Sequence, residues 1–331
     1  MIQKIKAFVN KHLDALHNEA TSENEKQAIT NGFKNIVLKI FHWVIILGIC
    51  YVILAPVLGI LSSSFFSDKD AYNTMVYLLP QNPTLERYET VIGILDYWET
   101  MCKSLFYTIS LMAIQVFICS MVGYGFARFN FPFKKLLFGC VVIMIVIPTH
   151  TIMLPLYMTF KDFNPLGLVE LIRGKAGLMN TTWPIYIMTL FGAGLRSGLY
   201  IYIFNQFFRG LPKEIEEAAL VDGAGSWYTY FFIMLRNATP SVITVAVFAM
   251  VWQYNDTFYS KLFYMPSEDN IGLRISSIMG NVANQFKIND RVIQELYLDA
   301  GIILMIVPIL LVYIFLQKYF IEGVERSGIV G

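Results

Sequence analysis

The sequence predicts an all-α integral membrane protein with six transmembrane helices and a polar helix–bend–helix loop between spans four and five. Its 331 residues are 56% hydrophobic and only 15% charged, and the mean hydropathy is +0.55. Such a chain carries more apolar surface than a water-soluble core can bury. Windows of about 20 apolar residues give the spans. Their approximate bounds are 40–66, 102–127, 134–160, 183–209, 239–260 and 298–320.

Residues 1–36 precede the first span and are polar to amphipathic. The apolar residues that recur there at helical spacing are Ile2, Ile5, Phe8 or Val9, Leu13 and Leu16. This spacing predicts a helix lying on the membrane or on a partner, although a loosely ordered tail fits equally well. The first long apolar run begins near Ile40, too far along for a secretory signal peptide. We expect a cytoplasmic N-terminal extension at 1–36 and one transmembrane domain at 37–331.

The orientation follows from the charges of the connections. An even number of spans places both termini on one side of the membrane, and basic residues mark the cytoplasmic side. The basic residues that flank the first span and the second-to-third and fourth-to-fifth connections are Lys34, Lys39, Arg128, Lys134, Lys135, Arg209, Lys213 and Arg236. The first outer connection is acidic overall. Both termini and the loop at 210–238 are therefore expected in the cytoplasm.

The third and fourth spans contain signals of irregular helix. Pro148 predicts a kink in the third. Arg196 lies in the fourth span near the midplane, where a charge is costly unless it is paired or hydrated. We expect an ion pair with Asp256 or Asp299, ahead of a direct contact with a transported molecule. The neighbouring glycines (Gly192, Gly194 and Gly198) also allow a broken helix that lines a cavity.

The loop at 210–238 has the composition of two short helices joined by a bend. Pro212 suits a first helical turn, and Glu214, Glu216 and Glu217 favour the positive end of a helix dipole. The run Asp222-Gly223-Ala224-Gly225 breaks the helix, and Ser226 is a plausible N-cap for the next one. A simple connection between two spans does not require such a folded element.

Glu217-Ala218-Ala219 and Asp222-Gly223-Ala224, followed by Ile233, resemble the EAA loop of ABC-importer permease subunits. The resemblance extends to Gly123-Tyr124-Gly125-Phe126-Ala127-Arg128 and to the C-terminus, and it indicates the larger-carbohydrate (maltose- or oligosaccharide-type) branch. One departure is Arg236 after Ile233-Met234-Leu235, where the family has proline. The second segment of the loop is therefore expected to continue as regular helix until Pro240.

The resemblance implies a multi-pass protein of the bacterial plasma (inner) membrane that couples ATP hydrolysis to alternating access for a di- or oligosaccharide. Its implied partners are a second, non-identical permease subunit, two ATPase subunits, an extracytoplasmic sugar-binding protein and membrane lipid. It implies that 210–238 is the coupling loop that docks on the ATPase. The expected ATPase-coupling residues are Glu214, Glu217, Ala218, Ala219, Asp222, Gly223 and Ala224. Glu217 is expected to contact a basic residue of the ATPase cleft, and Gly223 to supply the bend.

A candidate substrate pathway combines Arg196 with five residues of the fifth span. These five are Trp252, Gln253, Tyr254, Asn255 and Asp256. They offer an aromatic face and hydrogen-bonding side chains within one and a half helical turns, which are the groups that sugar recognition needs. The alternative is anchoring of the aromatic residues at the membrane interface, with hydrogen bonds between helices.

Several other activities are not expected. No Gly-x-x-x-x-Gly-Lys-Ser/Thr run occurs, so ATP and Mg²⁺ are expected on partner ATPase subunits, with no cofactor in this chain. No set of nucleophile, base and orienting residue suggests an enzyme. The four cysteines lack the spacing of metal ligands, and a net charge of +1 without a basic run gives no sign of nucleic-acid binding.

Two functions from other classes fit the sequence less well. An ion-driven secondary transporter favours internal repeats and acidic residues at the midplane, and the sequence shows neither. A membrane scaffold that transports nothing has no need of Arg196 or of a bent polar loop. Co-purification with an ATPase is expected for an ABC-importer permease and for neither of these two alternatives.

Overall fold

The structure, a computed structural model, describes residues 6–11 and 23–328, without the side chains of 23–30, 316 and 319–328. The chain forms two compact units, Met1–Ser62 and Ser63–Gly331. Residues 6–11 are helical. Most of the predicted surface helix falls outside the described residues, so it stays a prediction.

Helix α1 (Glu23–Ser63) contains most of the predicted first span and ends at Ser63 instead of 66. Its apolar side chains are largely exposed, Val52 by 70% for example. Exposed apolar residues along a helix of this length suit a segment surrounded by lipid.

The second unit is built from helices, and the part of it that the structure describes contains no β-strand. Its α-helices are α2 (Asp68–Ala71), α3 (Glu86–Leu95), α4 (Tyr97–Arg128), α5 (Lys134–Val146), α6 (Met153–Lys161), α7 (Leu168–Arg173), α8 (Trp183–Leu190), α9 (Ser197–Gly210), α10 (Glu214–Val221), α11 (Ser226–Tyr228), α12 (Leu235–Asn237), α13 (Thr239–Tyr254), α14 (Phe258–Leu262), α15 (Ile271–Ser276), α16 (Ile278–Phe286) and α17 (Arg291–Gly328). A π-helical segment, Thr229–Met234, lies between α11 and α12.

Three described helices are long and apolar enough to cross a membrane alone. They are Asn31–Ser63 within α1, Tyr97–Arg128 and Arg291–Phe315 within α17, at the predicted first, second and sixth spans. Two bent pairs raise the number to five if each pair is one span: Lys134–Val146 with Thr149–Arg173, and Ser226–Asn237 with Thr239–Tyr254. The all-α membrane fold is confirmed, whereas the count of six spans stays a prediction.

The predicted third and fourth spans are not continuous helices. The two parts of the third differ in direction by 104°, and Pro148, which cannot donate a backbone hydrogen bond, lies at the bend. The fourth is interrupted between Leu190 and Ser197, and Gly192 within the gap has a φ of 70°. Of the two interpretations of its glycines and Arg196, the structure shows the broken helix.

Helix α4 packs against both α9 and α13. The contact with α9 is close at Gly123, because a Cβ atom there would lie 2.6 Å from Phe204 Cβ. Phe204, Phe208 and Tyr200 of α9 are fully buried in this core. The α4–α9 pair positions the polar loop, which follows α9, and the helix break, which precedes α9.

Candidate functional site

Helix α10 is the first half of the loop that the sequence predicts between spans four and five. Three glutamates occupy its first turn, where carboxylates suit the helix dipole. The helix ends at Val221, and Gly223, two residues further on, has a left-handed φ of 82°. The Ala224 N–H donates to the Ala219 carbonyl at 2.9 Å, as in a Schellman termination. The predicted bend is therefore present, and glycine supplies it.

One face of α10 is bonded to the end of α4 through Glu216. The Tyr124 hydroxyl donates to Glu216 Oε1 at 2.6 Å, and Arg128 Nε lies 3.3 Å from Glu216 Oε2. Arg128 Nη2 also donates to the Leu211 carbonyl, at 2.9 Å, where α9 has just ended. The side chains of Arg128 and Glu216 are only 6% and 17% exposed. This cluster ties α4, the end of α9 and α10 together.

The remaining residues of α10 and its bend are largely exposed. Among the seven predicted coupling residues, those exposed are Glu214, Glu217, Ala218, Asp222 and Gly223. Ala224 is half-buried, and Ala219 is buried beneath the helix. Sequence reasoning did not single out the exposed apolar neighbours Val221 and Trp227, which are 87% and 67% exposed. The loop thus presents a mixed acidic and apolar surface to a partner.

The second half of the loop corrects one expectation. The sequence predicts regular helix up to Pro240, but Thr229–Met234 is π-helical and a new helix begins at Thr239. The buried Tyr230 ring packs 5.1 Å from the Tyr124 ring, and its hydroxyl lies 2.7 Å from that of Ser120. The wider π turn brings this side chain to α4, and such turns are frequent at functional sites.

The second region surrounds the break before α9. Arg196 occupies the position that precedes α9 and adopts a left-handed φ of 62°, which is uncommon for a residue with a side chain. Gly194 lies close to Thr189, because a Cβ atom there would be 2.7 Å from Thr189 Oγ1. Strain of this kind persists only where neighbouring contacts hold the backbone.

Two buried glutamines supply such contacts. Gln115 of α4, which is fully buried, donates through Nε2 to the Leu195 carbonyl at 2.5 Å and to Ser197 Oγ at 3.0 Å. Its Oε1 accepts from Gln253 Nε2 of α13 at 3.3 Å. The break leaves the Leu195 carbonyl without a helical partner, and Gln115 satisfies it. Three helices meet at this network.

A cavity of about 500 Å³ lies beside the break, within the range of small-molecule sites. Four of the six predicted pathway residues line it: Arg196, Trp252, Asn255 and Asp256. The Arg196 guanidinium carbon lies 4.3 Å from the centroid of the Trp252 ring, a cation–π contact. The cavity offers donors, acceptors and an aromatic side chain close together, which are the groups that bind hydroxylated molecules.

The other two predicted residues do not reach the cavity. Gln253 is buried in the glutamine network, and the Tyr254 hydroxyl donates to the Met305 carbonyl of α17 at 2.7 Å. Conversely, His150 and Thr149 line the cavity, although sequence reasoning missed them. The nearby Pro148 was the available signal, since a bend exposes the residues after it.

The expected ion pair of Arg196 is wrong. No described carboxylate lies within 4 Å of its guanidinium. Asp256 instead accepts from the Tyr259 N–H at 3.3 Å and from the Ser260 hydroxyl at 3.4 Å, and Asp299 accepts from Ser63 at 2.5 Å. Arg196 instead lies on the Trp252 ring beside the open cavity.

Across the described ranges, no cluster of three or more His, Cys, Asp or Glu side chains could hold a metal ion.

Comparison with known proteins gives a consistent result. Residues 92–326 match the family model described as binding-protein-dependent transport system inner membrane component. The arabinooligosaccharides transport system permease protein AraQ of Halalkalibacterium halodurans is 27% identical over 302 residues, which cover 88% of this chain and 98% of that protein. The diacetylchitobiose uptake system permease protein NgcG of Streptomyces coelicolor is 27% identical over 276 residues, which cover 83% of this chain and 84% of that protein.

The fold also matches a solved structure. A chain from the crystal structure of a bacterial ABC transporter involved in the import of the acidic polysaccharide alginate aligns with a TM-score of 0.64. The alignment covers 92% of this chain and 100% of that chain, at 19% sequence identity.

Proposed function

The chain belongs to the family of binding-protein-dependent transport system inner membrane components, and we propose that it is the permease subunit of a bacterial ABC importer for a di- or oligosaccharide. Membership in this family supports this function over the ion-driven secondary transporter and the scaffold. The names of the relatives AraQ and NgcG, which specify oligosaccharides, support the substrate class.

In the proposed assembly, six spans cross the plasma membrane, and the coupling loop and both termini lie in the cytoplasm. The chain pairs with a second, non-identical permease and rests on two ATPase subunits, which bind ATP and Mg²⁺. An extracytoplasmic binding protein delivers the sugar. The basic residues around the loop and the acidic first outer connection support this orientation.

The observation that carries the proposal is the arrangement of α10, which is exposed on one face and bonded to α4 on the other. ATP-driven closure of the ATPase subunits moves α10, and α4 passes the movement into the membrane. Glu217, exposed beside Ala218, is positioned for a charge-assisted contact with a basic residue of the ATPase. Gly223 sets the angle of the surface with its left-handed backbone.

The cavity beside α9 is the proposed passage for the sugar within this subunit. Arg196 and Asn255 supply hydrogen-bond donors, Asn255 and Asp256 supply acceptors, and Trp252 supplies an aromatic wall. His150 and Thr149 join this set from the bend of the third span.

The test is ATPase activity of the purified complex in lipid, with the binding protein and a panel of arabino-, chito- and gluco-oligosaccharides. At least one oligosaccharide should stimulate the wild-type complex. Glu217→Ala and Gly223→Asp should abolish stimulation or ATPase association while the chain stays folded. Glu99→Ala, at an exposed position of α4 far from the loop, is the control. Unchanged stimulation in both loop variants would contradict the coupling role of α10.

A further inference from the structure

We propose that Glu216, Tyr124 and Arg128 form a latch that transmits the movement of α10 to α4, a role separate from docking on the ATPase. The inference rests on the proposed function and assigns a positioning role to Glu216, the neighbour of Glu217. Residues next to each other on a helix point about 100° apart, so the two glutamates serve different surfaces.

Both carboxylate oxygens of Glu216 are engaged within this chain. Oε1 accepts from Tyr124 at 2.6 Å, and Oε2 faces Arg128 Nε at 3.3 Å. The side chains of Glu216 and Arg128 are 17% and 6% exposed, so water screens this pair far less than a surface pair. Glu217, by contrast, is exposed. The hydrogen bond and the ion pair of Glu216 thus connect α10 to α4.

Arg128 extends the latch to α9. Its Nη2 donates to the Leu211 carbonyl at 2.9 Å, the residue that follows α9. One guanidinium therefore holds the inner face of α10 and the chain that leads into it. Since α10 is bonded at its first turn and again through Leu211, it cannot rotate without pulling on the end of α4.

Aromatic packing stiffens the same joint. The Tyr124 ring, 4% exposed, lies 5.3 Å from the Phe208 ring of α9 and 5.1 Å from the Tyr230 ring of the π-helical segment. Both halves of the coupling loop and the end of α9 thus meet on one side chain of α4. A packed joint of this kind transmits displacement, because its side chains have no space in which to absorb it.

The latch is connected to the cavity by α4 itself. Arg128 and Gln115 lie on this one helix, about 20 Å apart at 1.5 Å per residue. Gln115 holds the Leu195 carbonyl next to Arg196, which lines the cavity. A pull on the end of α4 therefore reaches the helix break beside the cavity.

The experiment measures the accessibility of a cysteine in the cavity wall, so no sugar needs to be identified beforehand. Cys50, Cys102, Cys119 and Cys140 are replaced by serine, and Asn255→Cys places a reporter in the exposed wall of the cavity. Labelling by a membrane-impermeant maleimide is compared between the nucleotide-free complex and the complex trapped with Mg-ATP and vanadate, in lipid. The reporter chain should show a change in labelling rate between the two states.

Glu216→Gln should abolish most of that change, because the neutral amide no longer forms an ion pair with Arg128. Co-purified ATPase should stay as in the reporter chain. The thermal midpoint should fall, because the buried Arg128 loses its charged partner, but the chain should stay folded at the temperature of the assay. Tyr124→Phe, which removes only the hydroxyl, should reduce the change in the same direction by a smaller factor. Glu99→Gln, which breaks the exposed Glu99–Lys103 pair of the same helix, is the matched control and should have no effect.

The outcomes separate the two proposals. If the reporter chain itself shows no change on vanadate trapping, the importer mechanism fails. The latch is refuted if the reporter chain shows a change in labelling rate and both Glu216→Gln and Tyr124→Phe show the same change as the reporter chain. Loss of ATPase from a folded Glu216→Gln chain also refutes it, because Glu216 would then be a docking residue.

Discussion

Replacing Gly123 with alanine should force α4 and α9 apart. The new Cβ would lie 2.6 Å from Phe204 Cβ, 3.0 Å from the Asn205 nitrogen and 3.1 Å from the Ile201 carbonyl oxygen. Non-bonded carbon atoms prefer about 3.5–4.0 Å, so the helices must separate by about 1 Å. The obstructing atoms belong to the backbone or to a Cβ and cannot rotate away. Overpacking of this kind costs about 1–3 kcal/mol.

Gly125→Ala is the matched control, two residues further along the same helix. No atom lies within 4 Å of its new Cβ. A helical glycine replaced by alanine gains up to about 1 kcal/mol at either position, so this gain cancels between the two variants. The overpacking alone should separate them by about 1–3 kcal/mol in the free energy of unfolding. Thermal unfolding in one detergent at one scan rate should place Gly123→Ala several degrees below Gly125→Ala. Equal midpoints would refute the close α4–α9 contact and weaken the proposal that these helices move together.

Two further predictions concern backbone and polar contacts. Gly177→Ala should destabilise the connection between the predicted third and fourth spans more than Gly174→Ala does. Both glycines have φ above 70°, but only at Gly177 would a Cβ meet a backbone atom, the Lys161 oxygen, at 2.0 Å. Proteolysis of this connection in each variant measures the difference, and equal rates would contradict the contact. Gln115→Leu should cost about 1–3 kcal/mol, because the buried Leu195 carbonyl loses its donor. Gln253→Leu should cost less, since it leaves only the Gln115 oxygen unpaired, and a reversed order of the two thermal midpoints would refute this account of the break.

Local backbone chemistry explains what the sequence could predict. A bend at Gly223 follows from the need for a left-handed residue after a helix, and the structure shows a φ of 82° there. The glycines around Arg196 likewise indicated the break that the structure shows. Both signals are properties of a few consecutive residues, so the bend and the break can be predicted without knowledge of the rest of the fold.

Helical periodicity divides the predicted pathway residues of the fifth span between two faces. The run from Trp252 to Asp256 is one and a half turns of helix, so residues three and four apart share a face. Trp252, Asn255 and Asp256 line the cavity, while Gln253 and Tyr254 contact α4 and α17. All five residues cannot face one cavity, because consecutive residues of a helix point in different directions.

Contacts between distant segments were beyond the reach of the sequence. Glu216 and Arg128 are separated by 88 positions, and no local pattern distinguishes Glu216 from Glu217 as the inward-facing residue. The π-helical segment depends on Tyr230 packing beneath Tyr124, which is again a tertiary contact. Arg196 contacts the Trp252 ring and forms no ion pair with Asp256 or Asp299. The carboxylates of these two residues accept hydrogen bonds from other groups.

Both walls of the cavity pack against α4, but hydrogen bonds tie them to α4 unequally. Helix α9 is tied to α4 at its start through Gln115 and just past its end through Arg128, so Arg196 moves with α4. Trp252 belongs to α13, whose link to this network is one hydrogen bond of 3.3 Å between Gln253 and Gln115. The side-chain bonds of Glu216 join α10 to α4 and not to α13. We therefore expect a displacement of α10 to move the side of the cavity that carries Arg196 before the side that carries Trp252. The Arg196–Trp252 contact is therefore where we expect the cavity to change when the coupling loop moves.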